Sequence, residues 1–305
     1  MTDRTLHAAG LILGYATIIS FTDNYVRVIA ADAGLWQFHA VRSVMALTIL
    51  AIAALPLALR LRPVNLSAVV ARSAIHGLAM VIYFGALAFL PVALVAAGLF
   101  TSPIFVLLIS RFAYGEVIGP FRIGAVMVGF AGVVLVLGPE ALRGASLPAL
   151  LPVIAGAMYA LGNIATRKWC AQESAETLVA GFFVAIGLIG AIGMLVLSLW
   201  PLAVADGAAG FLQRGPVLPN TAFWIWTLVQ AAGSLLAIGM MVRAYQIADA
   251  TRVSVFEYAI LPASALWTWV LWGEGLTPLA VLGMGLIVVA GLMIAVRARM
   301  TLVAA

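Results

Sequence analysis

The chain has 305 residues, of which 65% are hydrophobic and only 9% are charged. Water-facing domains carry about a quarter charged residues, so this composition excludes an ordinary soluble protein and places the chain in a lipid bilayer. The net charge of +5 does not point to nucleic acid, because cytoplasmic Lys and Arg give a membrane protein the same excess without such a partner.

A spanning helix needs about 20 mainly apolar residues. Ten segments meet that need: Leu6 to Ile29, Leu35 to Leu59, Leu66 to Leu90, Val92 to Tyr114, Phe121 to Leu137, Pro148 to Trp169, Glu176 to Leu199, Thr221 to Ile247, Thr251 to Trp272 and Pro278 to Val296. They are numbered here spans 1 to 10. Turn formers mark the short connections, as at Arg62-Pro63, Gly119-Pro120 and Gly138-Pro139, and only Pro201 to Asn220 is a long loop. Span 1 resembles a signal peptide in that an apolar run precedes Ala30, Ala31, Asp32 and Ala33. Asp23 and Asn24 interrupt the run, and its removal would leave two unequal halves, so it reads as a true span.

Taken in order, the spans differ in what polar chemistry they carry. Span 1 has Asp23 and Asn24 near one end, where an interfacial role suffices for both. Span 2 has Arg42 with His39 one turn before it, and span 3 has His76, Tyr83 and Phe84. Arginine within a bundle more often bonds neighbouring carbonyls than a ligand, and a lone histidine is more often a packing residue than a site. Span 4 carries Phe100, Thr101, Ser102 and Pro103, and span 6 carries Tyr159 and Asn163. Cys170 is the single cysteine and forms no internal disulfide. Span 9 holds Glu257, Tyr258, Pro262, Ser264 and Trp267.

A charge at the centre of a spanning helix costs about 3 kcal/mol, so Glu257 must be paired or face a wet cavity. Either it holds a substrate ammonium or a proton, or it forms an ion pair with Arg42 or a histidine. Pro103 and Pro262 predict matching kinks, which free backbone carbonyls beside a cavity. Spans 5 and 10 are rich in glycine (Gly124, Gly129 and Gly132; Gly283, Gly285 and Gly291), which suits close helix packing in a scaffold or a dimer face.

Orientation follows from Lys and Arg in the loops. An N-terminus in the cytoplasm puts Arg60, Arg62, Arg72, Arg111, Arg122, Arg167 and Lys168 near the inner side, with Arg27, Arg143 and Arg214 outside. Trp36, Trp200, Trp224, Trp226, Trp269 and Trp272 then gather at the outer interface.

The stretch Ala86 to Val136 recurs as Ala244 to Ile294. Pro103 answers to Pro262, Gly115-Glu116 to Gly273-Glu274, Pro120 to Pro278, and Ala131-Gly132 to Ala290-Gly291. A repeat of five spans, an odd number, makes the second copy enter the membrane from the opposite side, with both termini cytoplasmic. The ionisable residues are not duplicated: Glu257 aligns with Leu99 and His76 with Ser234.

These features together (ten spans, Asn24 and Asn163 near the ends of the first helix of each half, Arg42 in the second helix, and proline followed by Gly-Glu in spans 4 and 9) resemble the drug/metabolite transporter superfamily, EamA type. Within it the chain is most similar to the YddG-like exporters of aromatic and other amino acids. The resemblance implies an all-α protein of two inverted five-helix repeats, 1–139 and 148–299, joined by a linker at 140–147 and followed by a tail at 300–305. It also implies a multi-pass protein of a bacterial inner membrane that exports its substrate.

No G-x-x-x-x-G-K-[ST] segment, G-x-G-x-x-G, H-E-x-x-H or Cys/His cluster occurs, so no ATP-driven step, cofactor or metal is expected, and no enzyme activity. The expected function is gradient-driven export of amino acids and related metabolites by alternating access; a proton-coupled exporter of cationic compounds is the alternative. The expected cavity residues are His76, Tyr83, Phe100, Ser102, Tyr159, Asn163, Glu257, Tyr258 and Trp267. Pro103 and Pro262 are the expected hinges, and Asn24, His39 and Arg42 an expected polar network. The expected partners are a small-molecule substrate and the bilayer; the sequence leaves monomer and homodimer open.

Overall fold

A computed structural model describes residues 4–86, 90, 92–138 and 147–303. Most of the linker expected at 140–147, with Pro139 and Arg143, lies outside the described residues, as do the last two residues of the tail expected at 300–305.

Among the described residues all regular structure is helical, and ten helices are long and apolar enough to cross a membrane. They run Thr5–Asp32, Leu35–Ala54, Leu66–Ala86, Leu94–Phe112, Pro120–Leu137, Leu147–Lys168, Ala175–Leu199, Thr221–Ile247, Ala250–Trp272 and Pro278–Arg299, and they keep the numbers of spans 1 to 10. Large apolar side chains such as Ile52, Leu188, Leu228 and Val281 are exposed on their outer faces. Such faces are unfavourable in water and suit lipid, while the helices satisfy their own backbone groups.

Among the described residues, four spans start where a side chain stands in for the missing helical partner. Asn65 accepts from Ala68 N–H ahead of span 3 and Thr277 from Ala280 N–H ahead of span 10. Ser174 accepts from Thr177 N–H ahead of span 7, and Asn220 accepts from Phe223 N–H ahead of span 8. The loop before span 8 is not a free connection. Its Arg214 donates to the carbonyls of Ala30, Ala33 and Gly207, and Trp36 and Gln37 of span 2 donate to Leu212 O and Val217 O. The loop therefore covers one end of spans 1 and 2.

Packing follows a twofold plan. Span 5 lies on span 10 and span 2 on span 7, while span 1 lies against spans 8 and 9 as span 6 lies against spans 3 and 4. Each of these last two groups joins the first helix of one half to the third and fourth helices of the other. Spans 5 and 10 run antiparallel: Gly132 faces Gly283, Gly129 faces Ala290 and Gly124 faces Met293. A Cβ on Gly132 would sit 2.6 Å from the Gly283 carbonyl oxygen, so these glycines serve contact inside the chain. Spans 2 and 7 are antiparallel too, with Gly187 against Ser43 and Gly190 against Ala40.

The duplicated Gly-Glu pairs have matching roles. Gly115 and Gly273 turn the chain with φ of 66° and 68°, the left-handed region that favours glycine at a helix end. The glutamates that follow reach across to the other half. Glu116 pairs with Lys168 at 2.8 Å and Glu274 with Arg27 at 2.7 Å. Each cation also lies over an aromatic ring at the end of the same span, Lys168 over Tyr114 and Arg27 over Trp272. The end of span 4 is thus tied to the end of span 6, and the end of span 9 to span 1.

Candidate functional site

The site begins with two interrupted helices. A proline at position i donates no hydrogen bond to the carbonyl of i−4 and crowds it, so Pro103 disturbs Leu99 and Pro262 disturbs Tyr258. Span 4 breaks after Leu99 and resumes at Ser102. Span 9 ends its first segment at Phe256, passes through a single 3-10 turn at Glu257–Ala259, and resumes at Ile260. The kinks expected from sequence therefore appear as breaks on the N-terminal side of each proline. Span 1 breaks as well, at Tyr25, without a proline; there Asn24 Nδ2 takes the Ser20 carbonyl at 2.8 Å, competing with the helix's own backbone bond.

Between these breaks lies a cavity of about 340 Å³. Spans 1, 2, 3, 4, 6, 7, 8 and 9 all contribute to its wall, and spans 5 and 10 do not. At its base, Glu257 is 4% exposed. Its Oε1 accepts from Tyr159 Oη and Asn163 Nδ2, both at 3.4 Å, and Tyr15 and Tyr245 complete a phenolic ring around it. Asn163 Oδ1 meets His76 Nε2 at 3.1 Å, and His76 Nδ1 lies 3.3 Å from the Arg72 carbonyl. Arg72 is 1% exposed and donates to Thr166 Oγ1 and Leu178 O, both at 3.1 Å. Arginine suits this place because its fork can satisfy two acceptors at once.

The other end of the cavity holds a second polar group. Arg42 donates to Gln230 Oε1 at 3.2 Å, and Gln230 donates in turn to Asp23 Oδ1 at 2.5 Å. Arg42 Nη2 also lies 3.3 Å from His39 Nδ1. Asp23 is exposed, unlike the buried Glu257, so the cavity is wetter at this end. Between the two groups the wall is apolar and aromatic, with Met80, Phe84, Phe100, Phe182 and Leu261.

Of the residues expected at a cavity, His76, Tyr83, Phe100, Ser102, Tyr159 and Glu257 are in its wall, as are Pro103, His39 and Arg42. Asn163 stands just behind it as the bridge between His76 and Glu257. Tyr258 and Trp267 do not reach the wall, and Asn24, expected in a polar network with His39 and Arg42, bonds to span 9 instead. Tyr258 turns its ring onto Gly129 of span 5, Trp267 donates to the Thr17 carbonyl at 3.0 Å, and Asn24 accepts from Thr268 and Trp272. Pro262 shapes the break without reaching the wall. Glu257 makes no ion pair with Arg42 or a histidine among the described residues.

Asp23, expected at the interface, and Arg72, expected near the inner surface, both line the cavity. Sequence reasoning also missed Tyr15, Gln230 and Phe182. A signal for some of them was there: Tyr15, Ile19 and Asp23 stand at i, i+4 and i+8 on span 1, and Arg72, His76 and Met80 do so on span 3. Each set forms one stripe along its helix.

Comparisons agree with this architecture. The model of the EamA-like transporter family matches residues 7–138. The chain is 30% identical to a riboflavin transporter of Rhizobium johnstonii over 68% of this chain and 63% of that protein. It is 29% identical to the pseudopaline exporter CntI of Pseudomonas aeruginosa over 72% and 71%, and 27% identical to the aromatic amino acid exporter YddG of Ancylobacter novellus over 60% and 65%. Matches to the riboflavin transporters of Brucella anthropi, Rhizobium johnstonii and Vibrio cholerae span 66%, 63% and 53% of those proteins' length. These relatives are named as transporters or exporters, not as enzymes. A solved crystal structure superposes with a TM-score of 0.72 at 20% identity, covering 94% of this chain and 97% of that one, which is a likeness of fold.

Proposed function

We propose, for a chain whose first half belongs to the EamA-like transporter family, the gradient-driven export of amino acids, aromatic ones among them, and of related small metabolites across the inner membrane. The observation that carries this reading is the central cavity, which is polar at both ends, aromatic between them, and walled by eight spans. Concave, mostly apolar sites with a few convergent polar groups are where small molecules bind. The names of the relatives support a small-molecule substrate, and one of them is an exporter of aromatic amino acids.

The mechanism we propose is alternating access between two inverted repeats, 1–139 and 148–299. Antiparallel packing of span 2 on span 7 and of span 5 on span 10 supports the inversion. The two crossed groups, spans 3, 4 and 6 and spans 8, 9 and 1, then rock about the cavity while spans 5 and 10 hold still. With both termini in the cytoplasm, the wetter Asp23 end faces outward. Ion pairs of Asp249 with Arg122 and Arg167 gather at the other end and close it.

Purified protein in liposomes should exchange labelled amino acids. No flux above empty vesicles for a broad amino-acid panel removes the substrate class, and riboflavin flux in the same vesicles would move the reading toward those relatives. A second reading, proton-coupled export of cationic compounds, is favoured by the buried Glu257 without a cationic partner. Uptake that keeps its pH dependence in Glu257→Gln counts against it.

A further inference from the structure

Two arginines and two acidic side chains line the cavity: Arg72 and Glu257 belong to the polar group at its base, Arg42 and Asp23 to the group at its other end. Arg72 and Asp23 are held by protein. Arg72 donates to Thr166 and Leu178, and Asp23 accepts from Gln230. Glu257 and Arg42 are held less fully for the charge each carries. Glu257 is met only by neutral donors, Tyr159 and Asn163 at 3.4 Å with Tyr245 beside them, and has no ion pair among the described residues. Arg42 leaves Nε without a partner, and the neighbouring His39 Nε2 is also unpartnered. His39 is 2% and Arg42 8% exposed. A buried polar atom left without a hydrogen bond is unfavourable by about 1–3 kcal/mol, so these atoms point to an occupant.

The separation of the two polar ends of the cavity narrows what that occupant is. Ser20 Oγ donates to the Ile260 carbonyl at 3.0 Å, which sets the register of span 1 against span 9. Glu257 lies three residues to one side of Ile260, and Asp23, which shares Gln230 with Arg42, three residues to the other side of Ser20. At about 2.0 Å per residue through the 3-10 turn and about 1.5 Å along span 1, the levels of Glu257 and Asp23 are about 10 Å apart, and Arg42, joined to Asp23 through Gln230, meets the cavity from that end. Two hydrogen bonds of about 2.9 Å each, with about 3 Å between the nitrogen and the carboxylate oxygen of one α-amino acid, fit within that length.

We infer that the cavity seats an α-amino acid with its ammonium on Glu257 and its carboxylate on Arg42 and His39, its side chain lying among Phe100, Phe182 and Leu261. This rests on the transport reading above and assigns a pose within the same cavity. Asp23 and Gln230 then act as positioning residues that hold the Arg42 fork toward the ligand.

The test uses L-phenylalanine and its two halves, phenethylamine and 3-phenylpropionate, as competitors of labelled L-phenylalanine exchange in liposomes. Glu257→Gln should weaken competition by phenethylamine about tenfold and leave 3-phenylpropionate unchanged. Arg42→Gln and His39→Gln should do the reverse; the histidine variant keeps the measurement interpretable where loss of Arg42 leaves Asp23 alone and the protein unfolded. Equal loss of both halves in Glu257→Gln, or no discrimination in any variant, overturns the pose. If the unaltered protein exchanges no amino acid, the transport reading fails separately, and the poles are read by thermal stabilisation of purified protein. Phenethylamine stabilisation lost only in Glu257→Gln supports them, and no stabilisation by either half overturns them.

Discussion

Gly162 has no side chain because His76 occupies the space one would fill: a Cβ there would collide with the imidazole at Cε1 and Nδ1. That ring bridges Arg72 and Asn163, which in turn holds Glu257. Gly162→Ala should therefore push His76 off Asn163, with a loss of about 1–3 kcal/mol in stability and slower exchange, read as thermal midpoint and liposome flux. An unchanged midpoint and flux would show that the imidazole has room to move. Arg72→Met keeps most of the volume but removes two charge-assisted hydrogen bonds from a side chain 1% exposed. The expected loss is about 3 kcal/mol, seen as a lower thermal midpoint in detergent. Composition and position alone made Arg72 look like a topological charge. Only its neighbours, Thr166 and the Leu178 carbonyl, show that it is a buried strut.

At the scale of helices, the two breaks near the cavity come from prolines that the sequence already displays. Pro103→Ala and Pro262→Ala should let the helix close over Leu99 and Tyr258, leaving the thermal midpoint equal or higher while slowing exchange; a faster exchange would count against a hinge role. The clamp between spans 4 and 6 is testable by charge exchange. Lys168→Glu should disturb the end of span 6 beside Glu116, and the double variant with Glu116→Lys should restore it. Both partners are partly exposed, so the coupling should be below about 1 kcal/mol in a double-mutant cycle. The role of the Gly-Glu repeat was only half legible. Its duplication and its glycine turn could be read from the chain, but Lys168 and Arg27 as partners could not, because each belongs to the opposite half.

Over the whole molecule, the proposed opposite threading of the halves would put Glu116 and Glu274 on opposite faces of the membrane. Single Glu116→Cys and Glu274→Cys variants should label with an impermeant maleimide from opposite sides of oriented vesicles; labelling from one side would end the inverted-repeat reading. Burial raises the Cys170 thiol above its ordinary range, so the native cysteine stays protonated and slow to react at neutral pH. Cys170→Ala supplies the background in which that is checked.

The sequence by itself determined the membrane setting, the ten spans, the repeat, the two proline-broken helices and most of the aromatic wall. All of these follow from local hydropathy, from the missing proline N–H, or from self-similarity along the chain, and need no knowledge of what touches what. Tertiary structure decided which polar residues share a space. It drew Asp23, Gln230 and Arg42 into one chain of hydrogen bonds, placed Tyr258 and Trp267 outside the cavity wall, bonded Asn24 to Thr268 and Trp272, and left Glu257 without a cation among the described residues. Those outcomes depend on the rotation and register of helices far apart in sequence. In a bundle whose helices are apolar nearly all round, the pattern along one helix does not fix which face turns inward.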